Sequence, residues 1–314
     1  MAIGSGIGSQ LGIATETTFN TPVTVTRFYE FTNESLNYNK TTSVGLGLRA
    51  GGQLPRSQRR VVTTSDATGD ITLDLPTKGL GLLLAHAMGS FPTKTAGAFT
   101  FTLGDVYTKS FTSQVGLPQY GGTVTPKTIG GCKISSFELA VSNAGIATGR
   151  FSVDGASFTT ATSLATASYS STTNLFHFAQ GAVTVDGSAV ANINDFTLTV
   201  DNVLKADRYN LGAAGIKSEQ VINGFRKISG TVTAEFTDTT LLAKFLADTT
   251  TALGLTFTSG SDILAITVSA VKFDGSAPQV AGPEVIDVSF TFEGYDNGTD
   301  APLTIVYTTT DAAL

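Results

Sequence analysis

Tryptophan is absent from this 314-residue chain, and cysteine, histidine and charged side chains are scarce. The single cysteine, Cys132, excludes an internal disulfide framework and any cysteine-rich zinc site. Charged residues make up 14% of the chain, well below the roughly 25% of an average soluble protein. Because Glu, Lys, Arg and Gln usually cover helix surfaces, their scarcity excludes an all-helical fold.

An excess of basic residues and a long apolar segment are also missing. The net charge is −6 and the pI is near 4.9, which argues against a nucleic-acid binder that acts through counterion release. The opening MAIGSGIGSQLG lacks the charged and apolar parts of a signal peptide. The apolar stretch 79–89 is too short for a bilayer that needs about 20 residues. We therefore expect a protein made in the cytoplasm, without an export signal and without a membrane partner.

Threonine and glycine are abundant instead, with 50 and 34 residues respectively. β-Branched threonine suits a half-buried pleated surface, so the composition favours a mainly β fold. Apolar and polar residues alternate, as in strands, in four clear segments. These are Asp70–Leu75, Phe137–Val141, Phe196–Val200 and Ile286–Glu293. Asp-Gly or Asn-Gly pairs at 186–187, 274–275 and 297–298 predict hairpin turns.

Only two segments have the apolar spacing of a helix. They are Lys78–Met88 and Thr239–Asp248, and Asp238 is the predicted N-cap of the second. Both belong to a suspected duplication. The stretch beginning at Gly69 (GDITLDLPTKGLGLLLAHAMG) aligns with the stretch beginning at Gly230 (GTVTAEFTDTTLLAKFLADT) at an offset of 161 residues. Upstream, the sequence ending at Asn39 matches the one ending at Asp201, one residue off that register.

The duplication predicts two tandem β-sandwich domains, at residues 1–156 and 175–314. Each would hold one short α-helix and one long inter-strand loop, and each is long enough to bury its own core. The Ser/Thr/Ala-rich stretch 157–174 between them is interpreted as a linker.

Residues that could perform catalysis are few, and none is in a recognisable motif. His86 lies in an apolar helix, and His177 lies between two phenylalanines in a short strand, so both are interpreted as structural. Cys132 has no histidine or acid near it in sequence and is interpreted as a small buried residue. Asp296 and Asp300 flank an Asn-Gly turn, where aspartate is ordinary, although a calcium site there stays open. We expect no enzyme, no cofactor and no metal site.

A cluster of bases stands out between Glu34 and Asp66, where no acid occurs. The cluster consists of Lys40, Arg49, Arg56, Arg59 and Arg60. Interspersed glycines predict that residues 39–69 form a long loop, and a loop of that length is usually functional or disordered. We expect an arm that becomes ordered by docking on an acidic neighbouring copy; a mobile surface loop is the alternative. The counterpart in the second copy, 201–227, is of mixed charge.

Three further segments indicate a family. They are QLGIATETTFNTPV (10–23), RFYEFTNESLNYNK (27–40) and GLRAGG (47–52), and together they resemble the start of a tail tube protein of tailed bacteriophages. The duplicated element order is similar to the two-domain, siphovirus-type major tail proteins of that family. The resemblance implies a structural virion protein whose copies form rings that stack into a hollow tail tube, with a β-barrel lining through which DNA passes.

The resemblance also implies partners and a location. The partners would be other copies of the chain, the tape measure protein and the tail terminator, with DNA only in transit. The location would be the virion tail, with the host cytoplasm during assembly. Since single-domain members form hexameric rings, three chains of two units each would form a trimeric ring with pseudo-sixfold symmetry.

Two polar strand faces are candidates for the lumen, since a wall that does not bind DNA should carry carboxylates and hydroxyls. They are formed by Asp70, Thr72 and Asp74 and, at matched positions, by Thr231, Thr233 and Glu235. Two alternative functions remain open. A glycan-binding β-sandwich would be expected to use tryptophan or clustered tyrosine platforms, and a secreted or surface adhesin would need an export signal.

Overall fold

A computed structural model of the protein describes residues 4–170, 172–280 and 282–314. Strands account for 49% of the chain and helices for 8%, with two α-helices and large antiparallel sheets, so the predicted mainly β fold is confirmed. None of the helices in these residues has the length and apolar character needed to cross a bilayer.

Twenty strands follow one another along the chain. The first ten are β1 (Gln10–Thr15), β2 (Arg27–Tyr29), β3 (Asn33–Glu34), β4 (Asn37–Val44), β5 (Arg60–Asp74), β6 (Ala98–Thr102), β7 (Phe111–Pro118), β8 (Val124–Val141), β9 (Thr148–Gly155) and β10 (Ser157–Thr159). The second ten are β11 (Gly181–Val185), β12 (Ser188–Val190), β13 (Ile193–Asp201), β14 (Leu204–Lys205), β15 (Val221–Ile222), β16 (Lys227–Glu235), β17 (Thr251–Ser259), β18 (Asp262–Gly275), β19 (Asp287–Gly294) and β20 (Leu303–Thr308).

Both predicted helices are present, in shorter form. Helix α1 spans Gly81–Met88 and ends at Gly89, whose positive φ of 68° suits glycine. Helix α2 spans Thr240–Leu246. Its N-cap is Thr239 rather than Asp238, but the Asp238 carboxylate still accepts a hydrogen bond from the backbone amide of Thr240 at 2.8 Å. All of α1 is buried, whereas α2 buries only Leu241.

One antiparallel sheet runs through both halves of the chain. Its strands follow in the order β4, β5, β9, β8, β13, β16, β19 and β18. The alternating sequence pattern puts apolar side chains on one face, which is buried in a core that is continuous across the two halves. This sheet is called the main sheet below.

A second layer covers the apolar face of the main sheet. The first part of β8 leaves the main sheet to pair with β7 and β10, and β7 pairs with β1, which pairs with β2. The first part of β18 likewise pairs with β17 and β20, and β17 pairs with β11, which pairs with β12. Since each long strand belongs to both layers, β8 and β18 join the two sheets of a β-sandwich.

The same succession of strand pairs therefore occurs twice, once in each half. The series β5, β9, β8, β7, β1, β2 in the first half corresponds to β16, β19, β18, β17, β11, β12 in the second. The halves contact each other through two strand pairs, β8 with β13 and β20 with β6. The segment between the halves is partly held in place. It begins as β10, and the side-chain amide of Gln114 bonds to the backbone of Ser163 and Ala165.

The predicted turns have different outcomes. Asp186 and Gly187 both have positive φ and join β11 to β12, as predicted for a two-residue hairpin. The prediction of a turn at Asp274-Gly275 is wrong, because both residues continue β18 and pair with β19.

Candidate functional site

The six side chains predicted to face the lumen lie on one face of the main sheet. Directly paired residues in a sheet point to the same face, and residues alternate along a strand. Asp74 pairs with Thr148, which pairs with Ala140, and this row of side chains crosses to the second half through Thr197, which pairs with both Ala140 and Thr231. The structure thus brings the two separate triplets onto a single polar surface, which we call the polar face.

Carboxylates dominate the charge of the polar face. In the described strands, its solvent-accessible carboxylates are Asp66, Asp70, Asp74, Glu138, Asp195, Asp201, Glu235, Asp274, Asp287 and Glu293. The bases are Arg150, Lys227 and Lys272. The remainder is largely threonine and serine, so the face is acidic and hydroxyl-rich.

Asp70 forms two short side-chain hydrogen bonds on this face. Its carboxylate accepts hydrogen bonds from Ser152 and from Arg150, both at 2.7 Å. Partial burial raises the pKa of Asp70, but these two bonds and the positive charge of Arg150 outweigh it, so the pKa is lowered below its ordinary value. Asp70 is therefore ionised at neutral pH, and Arg150 is occupied by it.

The predicted loop over residues 39–69 is largely a β-hairpin. Strands β4 and β5 pair from Asn37 opposite Thr68 to Val44 opposite Arg60. The prediction of a loop is therefore wrong for both flanks and holds only for the tip, residues 45–59. Both flanks are rich in threonine and valine, which favour strands, and this signal outweighed the glycines nearby. We call residues 37–68 the arm.

The arm exposes both charge and apolar surface. Its five bases, Lys40, Arg49, Arg56, Arg59 and Arg60, are all exposed, and none forms an ion pair with another described residue. Leu46, Leu48 and Leu54 at the tip are 88%, 106% and 84% exposed. Sequence reasoning overlooked these leucines, although their presence in a glycine-rich basic segment was the available signal. Clustered apolar exposure marks an interaction site.

The corresponding segment of the second half is packed onto the first half. Residues 202–226, called the clamp loop below, include Lys217, whose ammonium lies 2.5 Å from Asp154 and 3.3 Å from Asp66. Glu219 lies 2.6 Å from the buried ammonium of Lys133. Burial raises the pKa of Asp154 in spite of Lys217, and burial lowers the pKa of Lys133 in spite of Glu219. These pairs fix the clamp loop on strands β8 and β9.

His86 and Cys132 are both buried. His86 is buried, with its ring nitrogens near the Thr15 hydroxyl at 3.0 Å and the Lys109 carbonyl at 3.3 Å. Burial lowers its pKa to about 3, so the ring is neutral at physiological pH. Cys132 is buried as predicted, and burial raises the pKa of its thiol.

The turn that was open as a calcium site uses its carboxylates internally. Asp296 accepts a hydrogen bond from the Gly298 amide, and Asp300 accepts one from the Asn297 side chain. In the part of the chain that the structure describes, no group of three or more His, Cys, Asp or Glu residues is arranged to hold a metal ion.

Comparison with known proteins gives one result. A family model described as "Phage tail tube protein" matches residues 6–294, which is nearly the whole chain. No curated protein matches the sequence.

Proposed function

Because the chain belongs to the phage tail tube protein family, a structural component of the virion tail, we propose that its copies assemble into stacked rings that form the hollow tube through which DNA passes. The main sheet is the observation that carries this proposal. It has an acidic, hydroxyl-rich face that crosses both halves of the chain, and in the described residues its outer edges, β4 and the last part of β18, pair with no further strand. Closing several such sheets into one barrel removes both edges.

The ring we propose contains three chains. The succession of strand pairs occurs twice in the chain, which supports two tail-tube units at residues 1–156 and 175–314, joined by 157–174. Three chains then supply six units and close a trimeric ring with pseudo-sixfold symmetry. Within each chain the covalent connection keeps the two units together at high effective concentration.

The polar face is proposed as the lumen wall. Its carboxylates repel the phosphates of DNA, and two of its bases are already paired, Arg150 with Asp70 and Lys272 with Asp248. The arm, which carries the bases Lys40, Arg49, Arg56, Arg59 and Arg60, is proposed as the stacking element: it projects beyond the sheet so that its tip leucines contact the next ring. Assembly would take place in the host cytoplasm, around the tape measure protein and up to the tail terminator.

Negative-stain electron microscopy of the purified chain tests this proposal. We expect hollow tubes or rings, and a class average down the tube axis should show six lobes built from three chains. Monodisperse particles at all protein concentrations would contradict self-assembly. Six complete chains per ring would contradict the two-unit interpretation but not the tube itself.

A further inference from the structure

The junction between the two halves of the chain contains a strand pair and a covering loop. Strand β8 pairs with β13 from Ser136 opposite Asp201 to Val141 opposite Phe196. The clamp loop then lies over β8 and β9 through its buried Lys217–Asp154 pair. At the start of the loop, the Asn202 side chain donates to the carbonyls of Ala87 and Ile134 at 3.0 and 2.8 Å. This junction is called the internal junction.

The repeated pairing identifies which residues occupy equivalent positions in the two halves. Ile71 pairs with Phe151, and Val232, its counterpart at the offset of 161, pairs with Phe290. Counting along the paired strands from there makes Glu293 the counterpart of Asp154. Lys272, which pairs with Glu293, is then the counterpart of Lys133, which pairs with Asp154.

At the outer end of the second half, no strand among the described residues occupies the position equivalent to β13. The counterpart of Phe137 is Gly275, where β18 ends, whereas β8 continues from Phe137 to Val141 and there receives β13. The following residues, 276–280, have no regular structure and are mostly exposed. We call Asp274, Glu293 and residues 276–280 the open edge.

The helices differ in the same way. Ala85 in α1 is completely buried, whereas its counterpart Leu246 in α2 is 69% exposed. The internal junction contributes to this difference, because Asn202 reaches the C-terminal turn of α1. Helix α2 therefore has an apolar surface next to the open edge that nothing in the described chain covers.

The charged side chains at the open edge have fewer partners among the described residues than their counterparts at the internal junction. Glu293 is exposed and accepts a hydrogen bond only from the hydroxyl of Tyr295 among the described groups. Lys272 is already paired with Asp248 at 2.6 Å. A segment that docks here must therefore bring a base and needs no acid, which is the composition of residues 37–65 of the arm. At the offset of 161 that relates β16 to β5, the counterpart of Lys217 is Arg56, an exposed base of the arm.

We propose that the open edge is the docking site for a second copy of this chain. In this interface β4 of the second copy pairs with the open edge as β13 pairs with β8 at the internal junction. The arm of the second copy takes the place of the clamp loop. The internal register then places Asn37 of the second copy opposite Ser276, and Asn39 opposite Asp274. Arg56 meets Glu293, and the arm covers the exposed face of α2. The tip leucines stay free for the next ring. This proposal rests on the proposed ring assembly and specifies its interface.

Disulfide formation in the assembled tube tests the register. The double variant Asn37→Cys with Ser276→Cys should form covalent oligomers on oxidation, visible on a non-reducing gel, since paired residues in adjacent strands lie within disulfide distance. Asn37→Cys with Ala277→Cys is the matched control, because Ala277 would point to the other face once β4 of the second copy pairs with this segment as a strand, and it should cross-link far less. Native Cys132 is buried and does not interfere.

Two outcomes of this experiment separate the two proposals. Tubes that form without a cross-link at 37 and 276, or with equal cross-linking in the control, overturn the docking proposal and leave tube assembly intact. Absence of tubes from the unsubstituted chain overturns the proposed function itself.

Charge reversal tests the docking independently of cysteine. Glu293→Arg and Arg56→Glu should each reduce the pelletable tube fraction about tenfold, and the double reversal should restore it. Glu30→Arg, at an exposed acid outside the open edge, is the matched control for net charge and should assemble normally. Unchanged assembly in the single variants, or no rescue in the double variant, would refute the Arg56–Glu293 contact.

Discussion

Individual buried charges hold the two halves of this protein in register. Asp154 and Lys133 are unfavourable to bury alone, as the direction of their pKa changes shows, and each is compensated by a residue of the clamp loop. Such pairs contribute orientation more than net stability, because another arrangement would leave a charge buried without a partner.

Removing one member of such a pair should be costly. We expect Lys217→Met to lower the free energy of unfolding by about 3–5 kcal/mol, because Asp154 is left buried and unpaired. Urea denaturation followed by circular dichroism measures the change. Lys205→Met, which removes an exposed pair with Asp207, is the control and should leave the free energy of unfolding nearly unchanged. A similar cost for both variants would contradict the structural role of Lys217.

His86 should make stability depend on pH. Its pKa is about 3 in the folded protein against an ordinary value of 6.5, so the unfolded chain binds a proton first as the pH falls. The contribution of neutral His86 to the free energy of unfolding is fully present above pH 6.5 and is lost progressively as the pH falls toward 3. The loss at pH 4 is about 3 kcal/mol. His86→Gln keeps hydrogen-bonding groups without titrating, and its urea midpoint should fall less between pH 7 and pH 4. An identical pH dependence in both proteins would show that His86 is not the group responsible.

At the scale of elements, equivalent segments of the two halves have different surroundings. The clamp loop and the arm correspond in position, yet the first is packed on its own chain and the second extends into solvent with bases and leucines exposed. The two helices show the same contrast. The duplication thus leaves one set of contacts satisfied within the chain and an equivalent set available to another copy.

Shortening the arm should separate folding from assembly. Replacing residues 45–59 with Asn-Gly joins β4 to β5 through a two-residue turn that suits a hairpin. We expect a soluble, folded protein that no longer forms tubes, checked by circular dichroism and negative-stain microscopy. Leu46→Ser with Leu48→Ser, which keeps every base, shows whether apolar contact at the tip is needed. Long tubes from the shortened variant would rule out the arm as an assembly element.

At the scale of the whole molecule, the polar face can line a channel only if it points toward the axis of the assembled ring. In the described residues, the opposite face of β9, β8, β13, β16 and β19 packs into the core, so the polar face is the surface that these strands can offer to a channel. A continuous face of carboxylates and hydroxyls would let DNA pass with little binding.

Labelling of assembled tubes tests this orientation. Thr233→Cys, on the polar face, should react with a small maleimide but be protected from a bulky polymer-linked maleimide that cannot diffuse along the tube. Thr258→Cys, on an exposed strand position of the second layer, should react with both reagents. If the bulky reagent labels Cys at position 233 as fast as at 258, the polar face lies outside the tube.

Much of the architecture follows from local sequence alone. Threonine-rich alternation determined the mainly β fold, and spacing of leucines located both helices within a few residues. The same period of two identified two triplets of polar residues, and the structure shows that they share one face. These features are predictable because they depend on which residues are next to one another along a strand or helix.

The tertiary structure alone decided which segments meet. Sequence reasoning interpreted Asp274-Gly275 as a turn and the flanks of the arm as loop, since it could not see the strands paired with them. The burial of Lys217 against Asp154 joins residues 63 positions apart. The β8–β13 pair likewise joins distant segments. Such contacts depend on the register of long-range strand pairs, which is set by how the whole core packs and has no local pattern in the sequence.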